Sequence, residues 1–442
     1  MNSISKNSAV TFSSQVLILG LGLITSIILA RVLGPTGKGI YALIMLIPAV
    51  MLKLGSLGIE AANVYFTGSK RYEIKDIVSN SLLSSILLGL ILIFLFFGVS
   101  HLNIFQTFLN SNQINPFYLW LAVLTVPLSL LFGFLQNIFL GKEEIAKYNK
   151  INIFRGILQL IAIIIFLLIL KQGIFGAVLS HILIITTVTL FVVILVKKIT
   201  PLSIKIHRKL FKDSTKYGLK AYFGNLAQFL NYRLDIFLVA IFLTPAAVGF
   251  YSISVGIAER LWMLPGAIAT VLFPRISSLK EEKASNLTPR VARHTFLIVF
   301  VLSLVLASVA RPLIKILFGS AFLPSVTPLL ILLPGIIALG GAKILTADLA
   351  GRGKPQFGTY AAFASLGINI PLNLWLIPKW GISGAAFAST VAYIVAALMI
   401  IIAFTKISQK SWKDIIFIKK SDFRYYKNLL ILFKNKYFHS SR

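Results

Sequence analysis

The sequence predicts an all-α integral membrane protein of about twelve transmembrane helices, built as two parallel six-helix repeats that form two facing bundles. Three observations carry this expectation. Of 442 residues, 57% are hydrophobic and only 13% charged, with a mean hydropathy of +0.88; a soluble domain carries about a quarter charged residues, so lipid is the main solvent here. Apolar runs of the length that crosses a hydrocarbon core, about 20 residues, recur along the chain. The second half also repeats landmarks of the first at a nearly constant offset.

In order, the apolar runs fall near 8–33, 40–66, 77–100, 115–140, 149–170 and 174–196, then 217–243, 247–273, 293–318, 324–350, 357–378 and 382–405. The first is too long for a signal-peptide core and leads directly into further spans, so it reads as span 1. These runs are continuously apolar, which fits helices and not the alternating strands of a barrel.

Charge sets the orientation. The gaps after even-numbered spans hold twenty-one Lys and Arg, eight of them between Lys197 and Lys220, and the gaps after odd-numbered spans hold six. Positive loops stay inside, so both termini are expected in the cytoplasm. The net charge of +30 is spread over these gaps and forms no single basic face, so nucleic acid is not an expected partner.

The repeat is read from three loops. At an offset of 210, Ala30, Leu33, Pro35, Gly39 and Tyr41 fall on Ala240, Leu243, Pro245, Gly249 and Tyr251, and Gly141-Lys142 falls on Gly351-Arg352. At 208, the stretch from Lys171 to Ala177 falls on that from Lys379 to Ala385. Six spans per copy is even, so the copies enter from the same side and form a parallel repeat. The expected domains are a six-helix bundle over 1–200, a basic cytoplasmic linker over 201–216, a second bundle over 217–405 and a basic, aromatic cytoplasmic tail over 406–442. Two such bundles leave a cleft that rocking opens to either side, the geometry of a secondary transporter.

Charges deep in a span face a cavity or a partner. Lys53, Glu60, Arg155, Arg233, Asp235, Glu259, Arg260 and Lys343 are the candidate lining of such a cavity. Lys53 lies about 13 residues, roughly 20 Å, from either end of its span. Arg31, Arg311, Lys315 and Asp348 lie near span ends and are expected to snorkel. Polar residues share helical faces: Lys53, Ser56, Glu60 and Asn63 in span 2; Tyr148, Asn152, Arg155 and Gln159 in span 5; Asn225, Gln228, Tyr232 and Asp235 in span 7. Such stripes line a cavity or glue helices together. Cavity is favoured for spans 2 and 7, and the two readings stand level for span 5. Arg233 and Glu259 lie at matched depth on adjacent antiparallel spans and are expected to pair; Lys53 has no such partner.

No enzyme signature accompanies these charges. The five His sit at no metal-ligand spacing, and there is no Cys. Gly34-Pro35-Thr36-Gly37-Lys38-Gly39 lacks the Walker pattern. No cofactor is expected, and whether H+ or Na+ couples transport is left open.

Three segments resemble one family. The run from Leu29 to Pro35, continuing through Gly37 to Gly39-Ile40-Tyr41, is similar to the first-loop signature of the polysaccharide biosynthesis (Wzx-type) flippases of the multidrug/oligosaccharidyl-lipid/polysaccharide exporter superfamily. Asn231–Asp235 with Val248–Ser252 resembles their span 7–8 segment, and Ile377–Ala386 their span 11–12 turn. The resemblance implies a MATE-like fold in the bacterial inner membrane. It implies a flippase for an undecaprenyl-pyrophosphate-linked oligosaccharide, a repeat unit of O-antigen, capsule or exopolysaccharide. The sugar-pyrophosphate head would cross through a cationic cavity while the lipid tail stays in the bilayer. Partners would be the lipid-linked oligosaccharide, membrane lipids, and a polysaccharide polymerase and glycosyltransferases. Relatives that flip the peptidoglycan precursor carry two further helices that are not found here. The alternatives are a drug or organic-cation antiporter of the same superfamily, which needs net acid deep in the cavity, and a membrane glycosyltransferase or polymerase, which needs acidic outer loops. The loop near 101–115 has no Asp or Glu.

Overall fold

The computed structural model describes residues 2–279, 281–419 and 422, and these are almost wholly helical. The first repeat runs through α1 (Asn2–Gly55), α2 (Ile59–Gly68), α3 (Ile74–Ser100), α4 (Asn103–Ser111), α5 (Pro116–Val123), α6 (Val126–Gly141), α7 (Ile145–Ile163), a π-helical turn (Ile164–Ile169) and α8 (Gly173–Lys197). The second runs through α9 (Arg208–Phe242), α10 (Pro245–Ala258), a 3₁₀ turn (Glu259–Trp262), α11 (Met263–Ser278), α12 (Glu281–Phe318), α13 (Val326–Gly351) and α14 (Gln356–Ser408), and the short α15 (Trp412–Ile416) follows.

Among the described residues, nine helical stretches are long and apolar enough to cross a membrane. Two of them, Ser13–Gly55 with 43 residues and Gln356–Ser408 with 53, are twice the length one crossing needs. Each is divided by a glycine with non-helical backbone, Gly34 (φ 66°) and Gly381 (φ 58°). The 35-residue α9 is long enough to cross but too polar to qualify on composition. The two divisions and α9 bring the crossings to twelve.

The boundaries differ from the hydropathy reading in three places. Spans 2, 4 and 8 are interrupted, at Ser56–Gly58, at Leu124–Thr125 and at the 3₁₀ turn. The loop near 101–115 holds α4. Span 7 begins at Arg208, within the expected linker, because the His207 Nδ1 accepts from Leu210 N at 3.1 Å and starts the helix early.

The repeat is visible in the backbone. A Cβ on Gly141 would lie 2.7 Å from Val64 O, and one on Gly351 would lie 3.0 Å from Phe273 O, so the same close helix crossing is built twice. A second crossing joins the copies to each other. A Cβ on Gly39 would lie 1.7 Å from Pro245 O, and one on Gly249 would lie 2.1 Å from Pro35 O. Residues 35 and 39 of the first copy thus meet 249 and 245 of the second reciprocally, as a twofold relation requires.

The chain forms two compact units. The first holds the chain up to Ile257 with Val309–Leu332 and Leu366–Ser389; the second holds Ala258–Ser308, Leu333–Ser365 and the described residues from Thr390 on. The first unit is cored by residues such as Phe66, Ile77, Leu135, Phe139, Val188 and Val192, all buried. The second buries Trp262, whose indole N–H donates to Ile336 O at 2.9 Å and whose ring meets Tyr393 edge-on.

Candidate functional site

The first unit holds a cavity of about 380 Å³ between the two segments of α1 and α7. Asn152, Arg155 and Gln159 form one wall, at the i, i+3, i+7 spacing that puts them on one face of α7. Thr25 and Ser26 from span 1, and Lys38 and Tyr41 from the start of span 2, complete its polar lining. Among the described residues, two cations and no carboxylate line it. Arg155 sits over the Phe132 ring at 5.3 Å and forms no ion pair with any described residue. Lys38 lies 5.8 Å from the centre of the Tyr41 ring. A cation held in low dielectric without a carboxylate is costly, and an anionic ligand offsets that cost. Three of the four residues of the span 5 stripe, Asn152, Arg155 and Gln159, lie on a cavity wall, and Tyr148 packs against the apolar core of the first unit. Lys38 was counted only as a loop charge; its i, i+3 spacing with Tyr41 at a helix start was the available signal.

The span 2 stripe divides. Lys53 is exposed, in the last turn before the break, and makes no ion pair with any described residue. The break frees Leu54 O from its helical partner, and Tyr222 OH donates to it at 2.9 Å. Gly58 (φ 74°) makes the turn, and its missing side chain lets the Gly218 backbone approach. Glu60 is half-buried against α6 beside Gly133. Asn63 is buried and donates to Ser81 Oγ at 2.8 Å and to Phe134 O at 3.0 Å, which joins spans 2, 3 and 4.

The span 7 stripe divides likewise. Asn225 and Gln228 are exposed. Arg233 donates to Tyr232 O at 2.9 Å. Asp235 is fully buried, and its carboxylate accepts from Tyr251 OH at 2.6 Å, Ser389 Oγ at 2.9 Å and Ile236 N at 2.8 Å. It thereby ties span 7 to spans 8 and 12.

Glu259, Arg260 and Lys343 come together in the second unit. Glu259 acts electrostatically on both cations, and Lys343 Nζ lies 4.6 Å from the centre of the Trp262 ring. This group is charge-mixed, unlike the cavity of the first unit. Asp348 does not snorkel as expected. It is fully buried, accepting from Thr288 Oγ1 at 2.5 Å and from Arg352 Nε at 2.5 Å, because Arg352 folds back one turn along α13 to reach it. Arg31 does reach a span end, where it donates to Leu317 O at 2.8 Å. Among the described residues no group of three His, Cys, Asp or Glu could hold a metal ion.

The comparisons with known proteins agree with this architecture. The fold is that of a lipid II flippase MurJ in an inward closed conformation (18% identity, 90% of each chain, TM-score 0.75). It is also that of an inward-facing multidrug resistance MATE family transporter of the MOP superfamily (17% identity, 89% of this chain and 96% of that one, TM-score 0.67). In sequence, it is 27% identical over 206 residues to a probable low-salt glycan biosynthesis flippase, Agl15, of Haloferax volcanii, covering 45% of this chain and 42% of the relative. It is 25% identical over 203 residues to a putative O-antigen transporter of Shigella flexneri, covering 45% of this chain and 48% of the relative. These matches span less than half the length of either relative. The family profile reaches further, over residues 28–327, about two thirds of the 442 and across the junction of the two repeats; the chain belongs to the polysaccharide biosynthesis protein family.

Proposed function

We propose that this protein is a flippase that carries a lipid-linked oligosaccharide across a membrane, and that its cargo is an undecaprenyl-pyrophosphate-linked repeat unit in the bacterial inner membrane. One observation carries the reading: the cavity that Arg155 and Lys38 line has no carboxylate among its described residues. A pyrophosphate needs cationic partners most where dielectric is low, and Arg can grip it with two parallel N–H bonds. Asn152, Gln159, Thr25 and Ser26 supply neutral donors and acceptors of the kind that bind sugar hydroxyls. A cavity of about 380 Å³ takes the phosphates and the first sugar, not a whole oligosaccharide. The remaining sugars would extend beyond this cavity, and the lipid tail would stay in the bilayer. The linker and both termini are assigned to the cytoplasm on the charge of the loops.

The test is glycan flipping in reconstituted vesicles. Arg155→Ala should cut transport at least about tenfold, the loss of one charge-assisted contact, at unchanged abundance, and Arg155→Lys should keep part of it. If Arg155→Ala flips at the wild-type rate, the cavity is not the head-group site. If the protein instead moves an organic cation against a proton or sodium gradient, the antiporter reading replaces this one.

A further inference from the structure

The two repeats end alike. After span 6 the chain turns back and docks on the first turns of span 3. Ser79 Oγ donates to Lys205 O at 2.6 Å and accepts from Lys205 N at 2.8 Å; Asn80 accepts from His207 N at 2.8 Å and donates to His207 O at 3.1 Å. After span 12 the chain does the same to span 9. Lys410 Nζ donates to Asn286 Oδ1 at 2.8 Å, and Arg293 Nη1 donates to Asp414 O at 3.2 Å. The Arg293 guanidinium then grips Asp422 with Nε at 2.6 Å and with a second, short contact from Nη2. Asp422 also accepts from Lys419 N at 2.9 Å. By the offset of 210, the docked residues 205 and 207 correspond to 415 and 417, inside this second segment.

The segment is packed as well as bonded. Ile415 is fully buried, while Trp412 and Phe417 on either side of it are exposed. Arg293 and Asp422 are 6% and 1% exposed. A bidentate Arg–carboxylate pair out of water fixes geometry in a way a solvated pair does not. A tail lying on lipid headgroups would keep its carboxylates in water, not bury one against a span.

We infer that residues 410–419 and 422 form a clasp, the second copy of the inter-repeat segment, which ties the start of span 9 to the end of span 12. It makes the linker-side ends of these two spans move as one piece. The inference is independent of the cargo, since none of its residues lines the cavity. Of the basic, aromatic tail expected over 406–442, residues 410–419 and 422 belong to this clasp, and 420, 421 and 423–442 lie outside the described residues.

The experiment uses full-length protein in detergent and in nanodiscs with and without anionic lipid, and follows tryptic cleavage after Lys413 by mass spectrometry. Wild type should be cleaved slowly in all three. Asp422→Asn and Arg293→Gln should each speed cleavage more than tenfold, and the double variant should be no faster than Arg293→Gln, because both remove the Arg293–Asp422 pair and Arg293→Gln also removes the bond to Asp414 O. A chain stopped after Asp422 should match wild type in cleavage and thermal midpoint, and a chain stopped after Gln409 should melt earlier. Cleavage of Asp422→Asn at the wild-type rate overturns the clasp. So does additivity of the two single variants, or protection that appears only with anionic lipid.

Discussion

The two compact units handle buried charge in opposite ways. The first holds Arg155, which forms no ion pair with any described residue, on a cavity whose described lining has no carboxylate. The second balances its cations: Arg260 and Lys343 lie by Glu259, Arg352 bonds Asp348, and Arg293 bonds Asp422. A balanced pair holds helices together and gains little from a ligand. An unbalanced cation out of water has an unmet electrostatic requirement, and a ligand can meet it. The contrast separates binding from structure better than depth alone, since depth placed Asp235, Arg155 and Glu259 in one class.

The largest effect should come from the balanced side. Asp348→Ala would take from the buried Arg352 its buried carboxylate, leaving only the exposed Glu281 at 3.5 Å, and would remove the acceptor of Thr288 Oγ1. Breaking a buried pair from one side costs about 3–5 kcal/mol. The expected outcome is a sharp fall in monodisperse protein and in melting temperature, checked by fluorescence-detected size exclusion. Normal yield and melting would mean that water reaches this site, and the balanced group would lose its structural role.

A smaller effect, of a different kind, should follow at Lys53. It is exposed beside the break in span 2 and makes no ion pair with any described residue. Lys53→Ala should leave abundance and melting unchanged and lower glycan export in whole cells by several-fold, about the 1 kcal/mol of one charged contact. Normal export would restrict cargo contact to the cavity. At the same break, Tyr222→Phe removes the donor to Leu54 O and should cost about 1 kcal/mol of stability, read as a modest drop in melting temperature.

Sequence made the twelve crossings legible because hydropathy over twenty residues survives any detail of packing. It made the repeat legible because glycines at helix crossings admit no substitute where backbones touch, as Gly141 and Gly351 do. The break at Ser56–Gly58 was only hinted at by Gly55 and Gly58: Leu57 enters the left-handed region (φ 45°) where the Gly218 backbone of α9 packs against it, a contact that spacing along span 2 does not give. The cavity was half legible. The α7 stripe follows from spacing, but Lys38 faces it through the turn at Gly34, which periodicity cannot give. Asp235 belonged with the cavity residues on spacing; its partner Ser389, 154 residues away, decides its surroundings. Asp422 looked like one charge in a basic tail and is buried because Arg293 waits at the start of span 9.

The smallest effect concerns acid, and it sharpens the contrast between bound and solvated charge. The Arg293 guanidinium, with Lys419 N, holds the Asp422 carboxyl down to about 2, from an ordinary value near 3.8. A carboxylate whose folded value lies below its unfolded value adds stability that is fully present above the unfolded value. That stability is lost as pH falls through the folded one. Clasp docking should therefore be indifferent to pH from 8 down to about 5 and should weaken only between about 4 and 2. The exposed pair of Lys75 and Glu73, 3.0 Å apart, is the internal control, since salt screens it and should not reach Asp422. Hydrogen exchange in residues 412–416 across this pH range, at low and high salt, tests both statements. Exchange that accelerates near pH 6, or with added salt at pH 7, would place Asp422 in water and overturn the clasp.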